Sequence, residues 1–283
     1  MNFEEMKNVL EKYNQNHVIL AYERADEEKK KKILEQVSRI DFENMKELYG
    51  IAKNPVEVKE AEISPMPYED TTKLTDEEKN RYIKIGEDII RSGKLAVVTM
   101  AGGQGTRLGH TGPKGTYDLG LDSHKTLFEI LNDNLKEALK KYNVAIPWYI
   151  MTSKENNEDT IRFFEEKNYF GYPKDFVKMF FKQSELPMLD EEGRLIINED
   201  GIIKEAADGH GGVFEAMFKN GVLKEMKENG IEWIFIGGVD NVLVKMADPL
   251  FIGFAAANSY MAASKTLEKA YPEEKVGVFC KKD

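Results

Sequence analysis

A glycine-rich loop carrying two cations follows a short apolar run near the middle of the sequence. LAVVTM (95–100) is followed by AGGQGTRLGHTGPKG, which contains Arg107 and Lys114. Glycines let backbone N–H groups approach a ligand closely, and successive N–H groups form an anion-binding nest. The planar fork of Arg107 matches phosphate oxygens, and Lys114 adds a point charge. These residues predict a phosphate-binding loop; the alternative is a tight strand-to-helix turn with a solvent-facing arginine and lysine.

The spacing of this loop distinguishes it from two other phosphate-binding motifs. Walker A requires Gly-Lys-Ser/Thr, whereas Lys114 follows Pro113, so that motif is excluded. Gly103 and Gly105 fit the first two positions of the dinucleotide fingerprint, but Leu108 occupies the position of its third glycine. No acidic ribose-binding residue is evident in the next strand and its continuation, PWYIMTSKEN. A dehydrogenase therefore becomes a minor alternative.

Three further groups at the ends of predicted elements are candidates for ligand binding. Gln183, in FKQSELPM, lies just past a predicted strand, and its side chain can both donate and accept hydrogen bonds. DGHGG (208–212) opens a predicted helix, whose N-terminus favours anionic groups. Asp240 ends the apolar strand WIFIGG, where a carboxylate suits Mg²⁺ or a ribose, with Asn241 as an assisting group. The alternatives are a solvated glutamine, a helix-capping His210 and a turn-forming Asp-Asn pair.

The elements that must position these residues alternate between strand and helix from Gly93 onward. The apolar patterns predict strands at 95–100, 147–153, 176–181, 194–198 and from 233, and helices at 124–142, 155–168 and 212–229. Such alternation implies a largely parallel sheet with helices on both faces. Open sheets of this kind bind ligands at the carboxyl ends of their strands, which is where the glycine loop begins.

The first 92 residues differ from the rest of the chain in composition and in the spacing of their apolar residues. Residues 3–50 are dense in Glu, Lys and Leu, with apolar positions at helical spacing. Prolines predict an extended linker near 54–70, and TDEE, starting at Thr75, has the pattern of a capping box that opens a helix. We therefore predict a helical N-terminal region over 1–92, followed by an α/β domain over 93–283.

Composition restricts the classes of protein. The chain has 283 residues, of which 41% are apolar and 32% charged, as in globular proteins of one large or two ordinary domains. Its net charge of −10 is unfavourable for binding nucleic acid and usual for a cytoplasmic protein. The single cysteine, Cys280, excludes an intrachain disulfide framework. Neither a signal-peptide core nor a membrane-spanning run is present. We predict a cytoplasmic protein without nucleic-acid or membrane partners.

The ordered motifs of the chain resemble those of the UDP-sugar pyrophosphorylases, the UTP:sugar-1-phosphate uridylyltransferases. GGQGTRLG with PKG is followed in order by KGTYDLGL, KTLFEI, MTS, FKQSELPML, DGHGGVFEAM, VDNVLVKMADPLFIGF and VGVFC. The likeness covers roughly residues 93–280 and is greatest to the eukaryotic-type branch that includes UDP-N-acetylglucosamine pyrophosphorylase. It implies a Rossmann-like (nucleotide-diphospho-sugar transferase) α/β core, with a mixed, mainly parallel sheet and helices on both faces. It also implies a smaller N-terminal region packed on that core.

The resemblance implies roles for the residues named above. Arg107 and Lys114 are the implied catalytic residues, His210 the sugar contact, and Asp240 the ligand of a Mg²⁺ cofactor. At the position of His210 the N-acetylglucosamine branch tends to carry Asn, and UDP-glucose enzymes tend to carry a GHG-type motif, so the sugar stays open between the two. The implied nucleotide-binding residues are Met100, Ala101, Gly102, Gly103, Gln183, Gly209 and Asp240.

The implied reaction forms a UDP-sugar and pyrophosphate from UTP and a sugar 1-phosphate, with N-acetylglucosamine 1-phosphate preferred over glucose 1-phosphate. Members of the resembled family continue well beyond Cys280-Lys-Lys-Asp, so we expect a chain truncated at its C-terminus. The nucleotide half is expected to be present, and the sugar half, with a second phosphate-binding lysine, to be mostly absent. A non-catalytic nucleotide-binding remnant is the alternative of another class. The sequence makes no prediction of oligomeric state.

Overall fold

The computed structural model describes residues 1–54 and 62–282 of the chain. Its α-helices are, in chain order, α1 (Phe3–Lys12), α2 (Asn16–Arg24), α3 (Glu27–Arg39), α4 (Phe42–Lys53), α5 (Asp76–Arg91), α6 (Leu127–Tyr142), α7 (Asn157–Glu166), α8 (Val213–Lys219), α9 (Val222–Glu228) and α10 (Pro249–Ala257). Its strands are β1 (Ile63–Pro65), β2 (Leu95–Met100), β3 (Trp148–Thr152), β4 (Val177–Lys182), β5 (Glu185–Pro187), β6 (Glu205–Ala207), β7 (Trp233–Gly238) and β8 (Cys280–Lys282).

The chain divides into two compact units, and their boundaries differ from the predicted division between residues 92 and 93. The first unit combines Met1–Ile63 with Glu185–Asp208 and Lys282, and the second combines Ser64–Ser184 with Gly209–Lys281. Helix α5 precedes the predicted boundary but packs along α10, so it belongs to the second unit. Part of the predicted linker near 54–70 lies outside the described residues.

The first unit is a helical cluster with a segment of non-helical chain in its core. Two buried glutamines bind the backbone of that segment. Gln15 donates to the carbonyl of Gly193 at 3.1 Å and accepts from the amide of Leu195 at 2.8 Å. Gln36 donates to the carbonyl of Ile203 at 2.7 Å and accepts from its amide at 3.1 Å. These amides satisfy buried backbone groups that would otherwise be costly to remove from water.

The strand predicted at 194–198 does not form. This segment makes isolated antiparallel bridges, Leu189 with Leu195 and Ile197 with Ile203, rather than a continuous ladder. Its apolar side chains are buried against the helices of the first unit, with Leu195 only 2% exposed. The apolar run therefore indicated burial correctly. Ile196 bonds to the backbone of Met188 and Lys204, and Gln15 supplies further bonds to the backbone of Gly193 and Leu195.

A four-stranded parallel sheet forms the centre of the second unit, in the order β4-β3-β2-β7. Met100, the last residue of β2, lies opposite Met151 on one side and Gly238 on the other. Thr152, the last residue of β3, lies opposite Lys182 at the end of β4. The four carboxyl ends therefore meet at one edge of the sheet, as open parallel sheets require for a ligand site.

Helices cover both faces of this sheet, which confirms the predicted α/β class. Val97 and Trp148 are fully buried on the face that carries α6 and α7. Val98 and Tyr149, their neighbours along the strands, are fully buried on the face that carries α8 and α9. Because side chains alternate along a strand, burial of consecutive residues requires cover on both sides. The continuous apolar run LAVVTM follows from that cover.

Helix boundaries follow local signals in the sequence. The predicted capping box at Thr75 is present, because its hydroxyl accepts from the Glu78 amide while the Glu78 carboxylate accepts from the Thr75 amide. The helix predicted over 212–229 is instead two helices, α8 and α9. Gly221 separates them with a φ of +77°, a left-handed conformation that favours glycine.

Helix α10 corresponds to the most apolar stretch of the sequence and packs closely on α5. A Cβ atom added at Gly86 would overlap the backbone of Pro249, and one added at Gly253 would overlap the backbone of Tyr82. Glycine at these two positions allows the helix backbones to approach each other. Among the described helices, none is both long and apolar enough to cross a membrane.

Candidate functional site

The segments that leave the carboxyl ends of the strands are held side by side by backbone hydrogen bonds. The amides of Ala101, Gln183 and Val239 donate to carbonyls of the neighbouring strands at 2.7, 2.8 and 3.0 Å, respectively. Each of these residues lies one position beyond the end of its strand. The glycine loop, Gln183 and Asp240 therefore begin from one continuous edge of the sheet.

The glycine loop closes on itself before the chain continues. The amide of Lys114 donates to the carbonyl of Gly103 at 3.1 Å, and the amide of Gly105 donates to the carbonyl of Gly112 at 3.0 Å. Gly109 and Gly112 have φ values of +68° and +136°, which residues other than glycine rarely adopt. This closure places Lys114 next to the start of the loop, although eleven positions separate it from Gly103.

Lys114 and Asp240, predicted separately from the sequence, form an ion pair. Their Nζ and Oδ1 atoms are 2.5 Å apart. The lysine side chain is 26% exposed and the aspartate side chain 55% exposed, so solvent can reach the pair. The two opposite charges offset each other, and the aspartate retains one carboxylate oxygen without a described ion-pair partner.

Gln183 lies directly against Gly102. A Cβ atom added at Gly102 would come within 2.6 Å of Oε1 and 2.9 Å of Nε2 of Gln183. A Cβ added at Gly103 would meet no atom within 4 Å. Glycine at position 102 therefore makes room for the glutamine amide, while position 103 faces open space where a ligand would have access.

The other predicted loop residues differ in their accessibility. Ala101 is only 1% exposed, and Met100 is half-buried at the end of β2, so these two contribute backbone rather than side chains to the edge. Arg107 lies in a 3-10 turn, Thr106–Leu108, and its side chain is exposed. Within residues 1–54 and 62–282, Arg107 forms no ion pair, so its charge is available to an anion.

Gly209 and His210 are located at the start of another short turn. Gly209 has a φ of +82°, and the 3-10 turn His210–Gly212 leads into α8 on one face of the sheet. The His210 ring is exposed. Among the described residues, no hydrogen bond or ion pair joins these two positions to Lys114 or Asp240, so the predicted sugar contact is not bonded to the ion pair.

Asn156 is a further candidate site residue, which the sequence patterns did not indicate. It is fully buried, and its Nδ2 donates to the carbonyl of Ala101 at 2.9 Å and to that of Gly103 at 3.2 Å. Its Oδ1 accepts from the amide of Ser153 at 2.8 Å. The available signal was its place in MTSKEN, just past the end of the strand that neighbours β2.

The acidic groups of the site fit a metal only in one mode. The described part of the chain contains no cluster of three or more His, Cys, Asp or Glu side chains that could hold a metal ion. Magnesium sites in nucleotide enzymes commonly use one or two protein carboxylates, with phosphate and water oxygens as the remaining ligands. Asp240 supplies one partly exposed carboxylate at the edge of the sheet, which fits that mode.

Comparison with known proteins shows what this chain is similar to. It is 36% identical over 287 residues to UDP-N-acetylglucosamine diphosphorylase 2 of Arabidopsis thaliana, with 96% of this chain and 57% of that protein covered. It is 40% identical over 228 residues to UDP-N-acetylglucosamine pyrophosphorylase of Saccharomyces cerevisiae, with 78% and 48% covered. The chain thus spans about half the length of the curated relatives it matches.

A solved structure and a family profile extend the likeness to the fold. The inhibitor complex of uridine diphosphate N-acetylglucosamine pyrophosphorylase from Trypanosoma brucei superposes with a TM-score of 0.79 at 31% identity, covering 96% of this chain and 58% of that one. The profile described as UTP--glucose-1-phosphate uridylyltransferase matches residues 41–283, and so begins well before residue 93, where the resemblance in motifs starts. The relationship implied by the ordered motifs is confirmed: this chain belongs to the UTP–glucose-1-phosphate uridylyltransferase family.

Proposed function

We propose that the chain binds UTP at the carboxyl edge of its sheet and contains the nucleotide-binding half of a uridylyltransferase. N-acetylglucosamine 1-phosphate is the proposed second substrate, because the relatives described above are named for that sugar. The supporting observation is that an open glycine loop, a side-chain amide and a lysine–carboxylate pair share one edge of a parallel sheet.

In this proposal, each group at the edge binds a different part of the nucleotide. Gln183 pairs with uracil, since its amide can accept from the base N–H and donate to a base oxygen. The backbone from Met100 to Gly103 follows the nucleoside, and Gly209 contacts the uridine from the start of the turn before α8. The exposed Arg107 binds phosphate oxygens with its planar fork.

The proposed reaction is an in-line nucleotidyl transfer. A phosphate oxygen of the sugar 1-phosphate attacks the α-phosphorus of UTP, the bond to the bridging oxygen breaks, and pyrophosphate leaves with that electron pair. Both reactants are anions, so catalysis consists mainly of positioning them and neutralising charge. Lys114 and Arg107 supply positive charge for this purpose, and no covalent enzyme intermediate is required.

A divalent metal is the proposed cofactor, and Mg²⁺ the proposed ion. When bound, it would neutralise phosphate charge and hold phosphate oxygens in place. Asp240 would hold it, with Asn241 nearby in sequence. Since Asp240 also pairs with Lys114, holding a metal would weaken that ion pair. Cytoplasmic location and the absence of nucleic-acid and membrane partners stay predictions from composition.

Glucose 1-phosphate is the second candidate sugar, and one observation favours it. His210 stands in a GHG-type motif, which UDP-glucose enzymes tend to carry. Its exposed ring lies beside Gly209, the proposed uridine contact. The two sugars are separated by measuring pyrophosphate release with each sugar 1-phosphate in turn.

The proposed function is tested first by binding and then by turnover. Titration of the chain with UTP and with CTP measures base selectivity, and UTP is expected to bind more tightly. Gln183→Ala should weaken UTP binding by about tenfold, as expected for the loss of one to two hydrogen bonds. Pyrophosphate release from UTP with N-acetylglucosamine 1-phosphate then tests the reaction.

Three results would discriminate the alternatives. UTP binding without pyrophosphate release supports the non-catalytic nucleotide-binding protein. Faster release with glucose 1-phosphate than with N-acetylglucosamine 1-phosphate reverses the proposed sugar. Equal affinity for UTP and CTP, unchanged by Gln183→Ala, removes the uridine assignment itself.

A further inference from the structure

We infer that Asn156 is a positioning residue that orients the amides of the glycine loop toward the nucleotide; this inference rests on the proposed function. Asn156 precedes α7, on the strand-helix connection next to the loop, and is fully buried. Its side chain contacts the two carbonyls on either side of the Gly102 residue, those of Ala101 and Gly103.

Because the peptide unit is planar, fixing a carbonyl also fixes the direction of the N–H group in the same peptide unit. In a trans peptide the carbonyl and the N–H point in opposite directions. With the Ala101 carbonyl bound to Asn156, the Gly102 amide points away from Asn156. With the Gly103 carbonyl bound to Asn156 and to the Lys114 amide, the Gln104 amide also points away.

The amides oriented in this way are available to a ligand. Within the part of the chain that the structure describes, no acceptor receives a hydrogen bond from the amides of Gly102, Gly103 or Gln104. Gly103 is exposed, and a Cβ atom there would meet open space. Successive unpaired amides next to open space form the kind of nest that binds phosphate oxygens or a base carbonyl.

Asn156 is itself held rigidly, so it can impose this orientation. Its Oδ1 accepts from the Ser153 amide at 2.8 Å, and the Ser153 hydroxyl accepts from the Asn156 amide at 3.2 Å. These reciprocal bonds fix which end of the side-chain amide faces the loop, with Nδ2 toward the two carbonyls. A carboxylate in its place would keep the acceptor for Ser153 but would lose both donors.

The test compares Asn156→Asp with a matched control, Asn132→Asp. Asn132 is also fully buried in the second unit, and its Nδ2 donates to the carbonyl of Phe170 at 3.3 Å, away from the loop. Both variants place a carboxylate against backbone carbonyls, so both should lower the unfolding midpoint. The inference predicts that N156D weakens UTP binding by about tenfold or more, from the loss of two hydrogen bonds, while N132D stays within about threefold of the unsubstituted chain.

A second measurement examines the loop without nucleotide. Backbone ¹⁵N order parameters of Gly102, Gly103 and Gln104 report motion on the picosecond-to-nanosecond timescale. They should fall in N156D, from about 0.85 toward about 0.6, and remain unchanged in N132D. If N156D does not fold, Asn156→Ser replaces it, because a serine can still pair with Ser153 but is too short to reach both carbonyls.

Each outcome decides the inference. Weakened UTP binding and a more mobile loop in N156D alone support it. Unchanged UTP affinity in N156D, or an equal loss in N132D, overturns it. If the unsubstituted chain binds no UTP, the proposed function fails, and the order parameters then decide separately whether Asn156 holds the loop: unchanged values in N156D overturn the positioning role.

Discussion

The Nζ atom of Lys114 lies 2.5 Å from Oδ1 of Asp240, across the carboxyl edge of the central sheet. The two residues reach this contact by different routes. Asp240 lies two positions beyond the end of β7, whereas Lys114 returns to the edge because the glycine loop after β2 closes on itself. The pair places a cation and a potential metal ligand within one hydrogen-bond length of each other, so each should influence what the other binds.

Replacement of Lys114 by alanine should affect turnover far more than folding. An ion pair that solvent can reach contributes about 0–1 kcal/mol to stability, so the unfolding midpoint should shift by only a few degrees. Loss of a charge that stabilises the transition state should lower the rate of pyrophosphate release by about 100-fold or more. Initial rates and thermal unfolding of the same preparations measure both effects.

The matched control is Lys94→Ala, which breaks a similar exposed ion pair. Lys94 pairs with Glu232 at 2.7 Å, immediately before β2 and β7, at the amino edge of the sheet. Its removal should leave turnover unchanged. Normal turnover in Lys114→Ala, or an equal loss in both variants, would remove Lys114 from the catalytic residues.

Asp240→Asn should change the metal dependence of UTP binding in a direction that is easy to recognise. Without metal, the variant should bind UTP about fivefold more tightly, because the substitution removes a nearby negative charge and leaves Lys114 free to bind phosphate. Removal of such a charge is worth about 1 kcal/mol in a water-like dielectric. The gain in affinity on adding Mg²⁺ should shrink, because a proposed metal ligand is lost. Calorimetric titration with and without Mg²⁺ measures both quantities.

Glu232→Gln is the control for net charge, since it also removes one negative charge but lies at the opposite edge of the sheet. Glu232→Gln should change the UTP affinity neither with nor without Mg²⁺. Asp240 would have neither role, as partner of Lys114 or as metal ligand, if Asp240→Asn bound UTP without metal as tightly as the unsubstituted chain does and gained as much UTP affinity from Mg²⁺.

The sheet and the edge that carries the candidate site could be predicted from the sequence because their signals are local. Strands buried on both faces appear as continuous apolar runs, and LAVVTM and WYIMT are strands of this kind near the predicted positions. The apolar run WIFIGG also forms a strand, although Ile234 in it is 37% exposed. Gln183 and Asp240 follow such runs, so the parallel arrangement alone brings them to one edge. The proximity of Lys114 to Asp240 required the loop closure, which periodicity does not report.

Features that depend on contacts between distant parts of the chain were not predictable in this way. Asn156 looks like any polar residue of a loop, and its proposed role depends on carbonyls located more than fifty positions earlier. Segment Glu185–Asp208 joins the first unit because Gln15 and Gln36, far away in sequence, bind its backbone. The split between α8 and α9 is different, since Gly221 was a visible signal for a helix end.

Gly102 and Gln183 should be coupled in UTP binding. In Gly102→Ala the new Cβ would come within 2.6 Å of Gln183 Oε1, so the glutamine amide must move. The end of a flexible side chain can give way at little cost, and stability should change by less than about 1 kcal/mol. UTP affinity should fall by about tenfold, because the displaced amide no longer meets the base.

A double-mutant cycle measures this coupling. In the Gln183→Ala background there is no amide to displace, so Gly102→Ala should have a much smaller effect on UTP affinity than it has alone. Strict additivity of the two substitutions would show that Gly102 acts on the nucleotide independently of Gln183.

The alkaline limit of stability should depend on Tyr172. This residue is 3% exposed; its hydroxyl donates to the Ile146 carbonyl at 2.9 Å and accepts from the Ile146 amide at 2.7 Å, just before β3. Burial raises the pKa of Tyr172 from 10.0 to about 12, although the hydrogen bond from the Ile146 amide opposes the shift. The folded state therefore retains the phenolic proton more strongly than the unfolded state does.

The sign of the pH dependence follows from this difference. The contribution of the neutral hydroxyl to stability should be fully present below the unfolded pKa near 10 and should be lost as pH rises toward about 12. At neutral pH, Tyr172→Phe should cost about 1–3 kcal/mol, because it leaves the buried Ile146 amide without its partner. Urea unfolding of both proteins from about pH 8 to about pH 11 should show the two stabilities converging. The control is Tyr68→Phe, at a residue that is 79% exposed, and its stability should match that of the unsubstituted chain at every pH. If the stability of Tyr172→Phe instead ran parallel to that of the unsubstituted chain, Tyr172 would not set the alkaline limit.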